Sequence, residues 1–130
     1  MAGFSDYLEA AVAAWVNGTA MPTAPANRYV ALFNGDPTDP GSGGAEVTTT
    51  IRVAGRVVGT FGRTGGVLTL NADADFGAAA AAATVSHFGV YDAASAGNLL
   101  MYGPLTGGAQ SVGAGTNVKF ANGALVLTVD

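Results

Sequence analysis

The sequence predicts a mainly β protein, an antiparallel β-sandwich or barrel with one N-terminal amphipathic α-helix. Three observations predict this fold class. The hydrophobic period is helical at the start and changes to two after residue 28, short apolar segments then recur, and glycine-rich turns separate them. Because 130 residues is the length of one domain, we expect a single domain over 1–130, with the helix in 1–18 and the sandwich in 28–130.

The first element is the N-terminal helix. Ser5 is a suitable N-cap, Asn17-Gly18 supplies a left-handed stop, and the prolines within 21–25 prevent the helix from continuing. Its apolar residues recur at steps of three and four positions and are Phe4, Leu8, Ala11, Val12, Trp15 and Val16. This stripe could pack on the sheet, where a tryptophan in such a pattern usually belongs, or on a neighbouring subunit.

The rest of the chain reads as strands. Arg28–Asn34 is short and continuously apolar, whereas 51–61 alternates as a half-exposed strand with Arg52 and Arg56 on the polar face. Glycines in 51–61 indicate a bulge or a close crossing by another strand. The alanine run 78–83 is too short for a stable helix and predicts an extended lead-in with at most one helical turn. Further strands are predicted at 67–71, 84–91, 98–105, 116–120 and 124–129, with a hairpin turn at 62–66.

Composition argues against several classes of function. The formal net charge is -4 and only five residues are Lys or Arg, so nucleic acid is not an expected partner, since phosphate binding needs clustered cations. The chain has no cysteine, which leaves no disulfides or thiolate metal sites. Residues 1–9 carry acids where a signal peptide needs positive charge, and no apolar run is long enough to span a bilayer. We therefore expect synthesis in a cytoplasm and no membrane partner.

The one histidine, His87, invites a catalytic interpretation because Ser86 and Asp92 lie nearby. In a strand, however, Ser86 and His87 point to opposite faces, and at ~3.3 Å per residue Asp92 lies about 16 Å from His87 along the chain. The alternative is a histidine packed beside Phe88 and Tyr91 at a sheet surface. We predict this packing role, with no catalytic residue and no cofactor.

Asp36, Asp39 and Glu46 form the densest group of carboxylates and are weak candidates for metal ligands, because calcium takes oxygen ligands of this kind. Their spacing lacks the alternating acids of an EF-hand loop, and Asp-Pro pairs are ordinary turn formers. We therefore predict turns and no metal site. Asp73 and Asp75 are interpreted as solvated charges at a sheet edge that discourage aggregation.

Eight segments of the chain form a recognisable series of strands and turns: 29–33, 36–39, 41–44, 46–47, 84–94, 97–106, 112–116 and 120–130. Taken in order, they resemble small virion proteins of tailed bacteriophages that are usually labelled phage tail fibre proteins. The resemblance covers most of the chain, and the order and spacing of the segments are more specific than any one motif. The segment 51–61 departs from the pattern, which is commonly Gly-rich there.

The resemblance implies a structural component of a bacteriophage particle without catalysis, an exterior virion protein that is either short and tail-fibre-like or a capsid decoration (cement) protein. We expect it to assemble as a homo-oligomer, a trimer, on major capsid or tail proteins. Two other classes stay open: a receptor- or glycan-binding module in which Tyr91, Tyr102 or Trp15 stacks on a sugar, and a small hydrolase. The residues expected at interfaces are Tyr7, Trp15, Asp36, Asp39 and His87.

Overall fold

A computed structural model describes residues 3–52 and 55–129. It confirms the predicted fold class: of the described residues, 41% are in strands and 9% are helical, the sheets are antiparallel, and the helix is N-terminal. The helix α1 is Asp6–Val16. The strands are β1 Gly3–Phe4, β2 Arg28–Asn34, β3 Ala45–Glu46, β4 Val57–Gly59, β5 Phe61–Thr64, β6 Val67–Leu70, β7 Ala74–Ala78, β8 Ala83–Val85, β9 His87–Tyr91, β10 Leu99–Pro104, β11 Gln110–Val112, β12 Asn117–Phe120 and β13 Val126–Thr128.

Strand β2 lies at the centre of the main sheet. The sheet has the order β1-β10-β9-β2-β3, and β4 also pairs with β2. Three smaller sheets, β11-β8, β12-β7 and β13-β6-β5, complete the fold. A strand in this position is covered on both faces, which explains why its sequence is continuously apolar instead of alternating.

The two faces of β2 belong to two hydrophobic clusters. Val30 and Leu32 point into the larger cluster, which also holds Leu70 of β6 and Leu127 of β13 and therefore lies between the main sheet and the smaller ones. Ala31, with Phe33, Tyr91 and Leu99, forms a smaller cluster on the opposite face. This layered arrangement is consistent with the sandwich form of the prediction.

The N-terminal helix begins as predicted. The Leu8 amide donates to the Ser5 hydroxyl at 3.3 Å, which makes Ser5 the N-cap. Beyond the cap, however, no residue of α1 is buried, and Trp15 is 60% exposed. Of the two alternatives for the apolar stripe, packing of its whole length on the sheet is wrong: Phe4 and Leu8 contact the core, and Trp15 does not. No helix within 3–52 and 55–129 is long and apolar enough to cross a bilayer.

Predicted strand 51–61 is wrong as a continuous element. Strand β4 begins only at residue 57, and residues 53–54 lie outside the described part of the chain. Gly55 adopts φ +73, a left-handed conformation that ends regular pairing, and Arg56 is buried at 8% exposure instead of facing solvent. Neither a bulge nor a crossing strand explains Gly59: it pairs with Arg28 of β2 in the same sheet, and a Cβ there would lie 2.8 Å from side-chain atoms of both Val30 and Phe61.

Other boundaries follow local sequence more closely. The predicted hairpin turn is present but shorter than 62–66: Gly65-Gly66 connect β5 to β6 with Thr64 opposite Val67, and residues 62–64 belong to β5. The alanine run forms no helix: Ala80 and Ala81 donate backbone hydrogen bonds to residues 51 and 50 instead. The sequence prediction missed strands β7 and β11, because their polar and small residues show no clear period-two pattern.

Candidate functional site

The Ser86-His87 pair is arranged differently from the sequence prediction. Ser86 Oγ lies 2.9 Å from His87 Nδ1, so the two side chains do not point to opposite faces. The reason is that β8 ends at residue 85 and β9 begins at His87, which interrupts the alternation at Ser86. The Gly35 amide also donates to Ser86 Oγ at 2.7 Å. Ser86 therefore contacts both Gly35, just after β2, and His87, and so joins the end of β2 to the start of β9.

Asp92 does not complete a catalytic arrangement with this pair. Its carboxylate accepts hydrogen bonds from the Asn98 backbone amide at 2.7 Å and from the Asn98 side chain at 2.9 Å. Among the described residues, no carboxylate forms a hydrogen bond with His87. A nucleophile and its base need a third group that orients the base, and here the acid instead closes the loop between β9 and β10.

The three candidate metal-ligating carboxylates are held by three different partners. Asp36 accepts from the Thr38 amide at 2.9 Å, an Asx-type turn, and Asp39 accepts from the Tyr102 hydroxyl. Glu46 is paired with Arg56. Within 3–52 and 55–129, no group of three or more acidic, histidine or cysteine side chains could hold a metal ion.

Asp39 ties the long loop after β2 to the N-terminus of the helix. Its backbone carbonyl accepts from the Asp6 amide at 2.9 Å, while its carboxylate accepts from Tyr102 on β10. That hydrogen bond, followed by desolvation and the negative charges of Asp39, Asp36 and Glu9, raises the pKa of Tyr102 to about 12. Loop, helix cap and sheet therefore meet at one point.

Arg56 holds a second loop, and sequence reasoning missed it. Its guanidinium makes two 2.8 Å hydrogen bonds to the Glu46 carboxylate and donates to the carbonyls of Ala93 at 2.9 Å and Ala96 at 2.8 Å. It also lies 3.6 Å above the ring of Tyr91. This cation–π contact and the full set of hydrogen bonds satisfy the buried charge. These contacts hold the fold together, and no pattern in the residues next to Arg56 predicts them.

The C-terminal end of α1 exposes an apolar tip, defined as Trp15, Val16 and Met21. Trp15 is 60% exposed, Val16 75% and Met21 42%. Residues 10–27 contain no charged side chain, so the segment that carries the tip offers no charge to the solvent. Large apolar residues that stay exposed together usually mark an interaction site.

A groove lies at the C-terminal end of β10, beside Pro104. It has a volume of about 610 Å³ and is lined by no charged residue. Its wall includes Phe88 and Phe120, whose rings meet edge to face with centroids 6.2 Å apart. The other lining residues are Pro104, Leu105, Thr106, Gln110, Gly123, Ala124, Leu125 and Val126.

The predicted interface residues do not form one surface. Tyr7 and Asp39 are exposed near the start of α1, and Asp36 is exposed in the adjoining loop. Trp15 lies eight helical positions after Tyr7, about 12 Å along the axis at 1.5 Å per residue. His87 is half-buried at the start of β9. Of the five, only Trp15 belongs to the apolar tip.

Comparison with known proteins identifies the family. No curated protein matches the chain. The family model described as "Podophage GP4 fiber I protein gp80" matches residues 3–128, which is almost the whole sequence. The predicted resemblance to phage tail fibre proteins is thereby confirmed. The chain belongs to the podophage GP4 fiber I protein gp80 family, and it is a structural, tail-fibre-like protein of a bacteriophage particle.

Proposed function

We propose that this protein is a non-enzymatic, exterior component of the phage tail that assembles as a homotrimer and attaches to other tail proteins. The family match supports a fibre-like virion component. The main support for oligomerisation is that Trp15 is 60% exposed and lies in a segment that has no charged residue. An isolated subunit would leave this surface in water at a free-energy cost that burial in an interface removes.

The weak charge of the whole chain supports the same proposal. Only 11% of its residues are charged. A surface with so few charges solvates poorly and favours association. We include one domain over residues 1–130 and synthesis in the host cytoplasm in the proposal. One domain is supported by the larger core cluster, which joins strands from β2 to β13 and contacts Phe4 and Leu8.

Light-scattering mass over a range of protein concentrations tests the assembly. A mass of three chains is expected, and a mass of one chain at all concentrations would contradict the proposal. Trp15→Ser should shift the distribution towards the monomer. Val58→Ser is the matched control, because Val58 is also exposed, at 50%, but lies on β4; its mass should stay that of the wild type.

The place on the particle is tested by copy number in purified virions. The fibre family favours the tail, for which a small number of copies is expected. A capsid decoration or cement protein would instead be present in hundreds of copies. Immunogold labelling of intact particles separates the same two outcomes, since tail protein is labelled at one vertex and decoration protein over the whole shell.

A receptor- or glycan-binding module of the tail is the second candidate function, and exposed Trp15 is the observation that favours it. An aromatic platform for a sugar has to be accessible. Tyr91 is only 7% exposed and lies under Arg56, and Tyr102 is held by Asp39, so Trp15 is the accessible member of the three original candidates. Saccharide-induced change of Trp15 fluorescence in the isolated protein, absent in Trp15→Ser, is the expected result for this alternative.

A further inference from the structure

The chain has two surfaces without charged residues that can pair between copies. The apolar tip of α1 is exposed, at 60% for Trp15 and 75% for Val16. The groove is concave, about 610 Å³ in volume, and its lining residues fall between 88 and 126. None of these lining residues belongs to the tip or to its segment 10–27, so within one subunit the described tip does not fill the groove.

The chemistry of the groove suits an indole. Phe120 is half-buried in the groove wall and offers a ring against which another aromatic ring packs favourably, while Phe88 lies behind it at 4% exposure. A buried tryptophan also needs an acceptor for its N–H. Gln110 lines the groove, and its amide nitrogen donates to the Gly108 carbonyl at 3.5 Å, a contact that leaves the amide oxygen available as that acceptor.

We propose that the apolar tip of one copy of this chain occupies the groove of the next copy. This inference rests on the proposed homotrimer and specifies its contact. Because tip and groove are different surfaces, the contact is heterologous, and three such contacts related by a threefold rotation close a ring. Each copy then offers its tip to one neighbour and its groove to the other, which leaves neither surface unpaired.

The size of the contact predicts its strength. A buried tryptophan contributes 150–250 Å² or roughly a quarter of the ~800 Å² per partner in a stable interface. The remainder has to come from Val16, Met21 and the exposed segment 17–27 that follows α1. We therefore expect a reversible ring that dissociates on dilution, and that is held on the particle by additional contacts with other tail proteins.

Engineered cysteines test the tip-in-groove contact. The chain has no cysteine of its own, so any cross-link must come from the introduced ones. Val16→Cys marks the tip and Val126→Cys marks the groove rim, both at exposed positions that tolerate substitution. With a short bis-maleimide, a mixture of the two single variants should give linked pairs, and neither variant alone should. The double variant should give a covalent trimer. Val16→Cys mixed with Val58→Cys, which lies outside the groove, is the control and should remain unlinked.

Fluorescence gives an independent readout, since Trp15 is the only tryptophan. Its emission should shift to longer wavelength on dilution as the indole leaves the groove. Val126→Asp should move the midpoint of this transition at least tenfold in concentration, and Trp15→Ala, followed by mass, roughly 30-fold, the size of an interface hot spot. Val58→Asp should leave the midpoint unchanged.

Each failure has a distinct signature. A trimer by mass in which Val16→Cys does not link to Val126→Cys would refute the tip-in-groove contact and leave the homotrimer standing. Linkage of Val16→Cys to itself would show a contact between two α1 tips and also refute it. A monomer by mass at all concentrations would remove the homotrimer itself, and with it this inference.

Discussion

Arg56 and Glu46 form a bidentate ion pair in which both nitrogen–oxygen distances are 2.8 Å and the side chains are only 6% and 20% exposed. The pair joins β3 to the segment before β4. Through the carbonyls of Ala93 and Ala96 it also fixes the loop between β9 and β10. A buried guanidinium of this kind stabilises the fold only while every partner remains in place.

Glu46→Gln is therefore expected to destabilise the protein by about 3 kcal/mol, because it leaves the buried charge of Arg56 without its counter-ion. Urea unfolding followed by circular dichroism measures the loss. Asp73→Asn is the control, since it removes the partner of Lys119 in an ion pair whose side chains are both 47% exposed. The control should cost much less; equal losses would show that burial does not set the strength of the Glu46 pair.

Tyr102→Phe tests the link between the long loop, the helix cap and β10. The hydrogen bond to Asp39 raises the pKa of Tyr102 to about 12, above the ordinary value of 10. A group with a raised pKa in the folded state stabilises the fold below its unfolded pKa and loses that contribution as pH rises through the folded one. The wild type should therefore lose stability between about pH 10 and 12.

The Tyr102→Phe variant should lack this part of the alkaline loss and be less stable at pH 8 by about 1 kcal/mol, the usual worth of one hydrogen bond. Urea midpoints at pH 8, 10 and 11.5 give the comparison. Tyr7→Phe is the control, because Tyr7 is an exposed tyrosine in the first turn of α1, near the same loop. If the wild type and Tyr102→Phe showed parallel alkaline curves, the bond would not contribute to stability.

Ser86→Ala is expected to cost about 1–2 kcal/mol, because the partly buried Gly35 amide loses its acceptor. The same unfolding measurement applies. Ser111→Ala, at an exposed position on β11, serves as the matched control and should be near neutral.

His87→Ala tests the proposed non-enzymatic role. Virions that carry this variant in its folded form should retain wild-type infectivity. Loss of a hydrolytic activity in the folded variant would contradict the proposal.

Gly59→Ala tests the close side-by-side packing of the paired strands β4 and β2. The added Cβ would meet side-chain atoms of Val30 and Phe61 at 2.8 Å, and overpacking of this kind costs about 1–3 kcal/mol. Gly113→Ala is the control: the nearest atom to its Cβ would be Thr116 Oγ1 at 4.0 Å, and the backbone there is not left-handed. A stability equal to that of the control would mean that β2 and β4 separate to accommodate the methyl group.

Local signals explain which elements the sequence predicted well. The N-cap of α1 at Ser5, the hairpin at Gly65-Gly66 and the bounds of β2 each depend on a few adjacent residues. The turn chemistry after β2 was also recognisable, and Asp36 forms an Asx-type turn there. By contrast, the expected single strand over 84–91 breaks at Ser86, because the hydroxyl of Ser86 bonds to Gly35, 51 positions earlier. A window of neighbouring residues contains no sign of such a partner.

The site shows the same division. The sequence by itself determined the β fold, the capped helix, the low charge and the family resemblance, since each is written in residue type and spacing. Only the tertiary structure decided that Arg56 is buried against Glu46 and that Trp15 is exposed. Both outcomes depend on which surfaces the sheets leave uncovered. Contacts between distant parts of the chain determine those surfaces. An apolar stripe in the sequence predicts that its residues are buried, but it does not show what they are buried against.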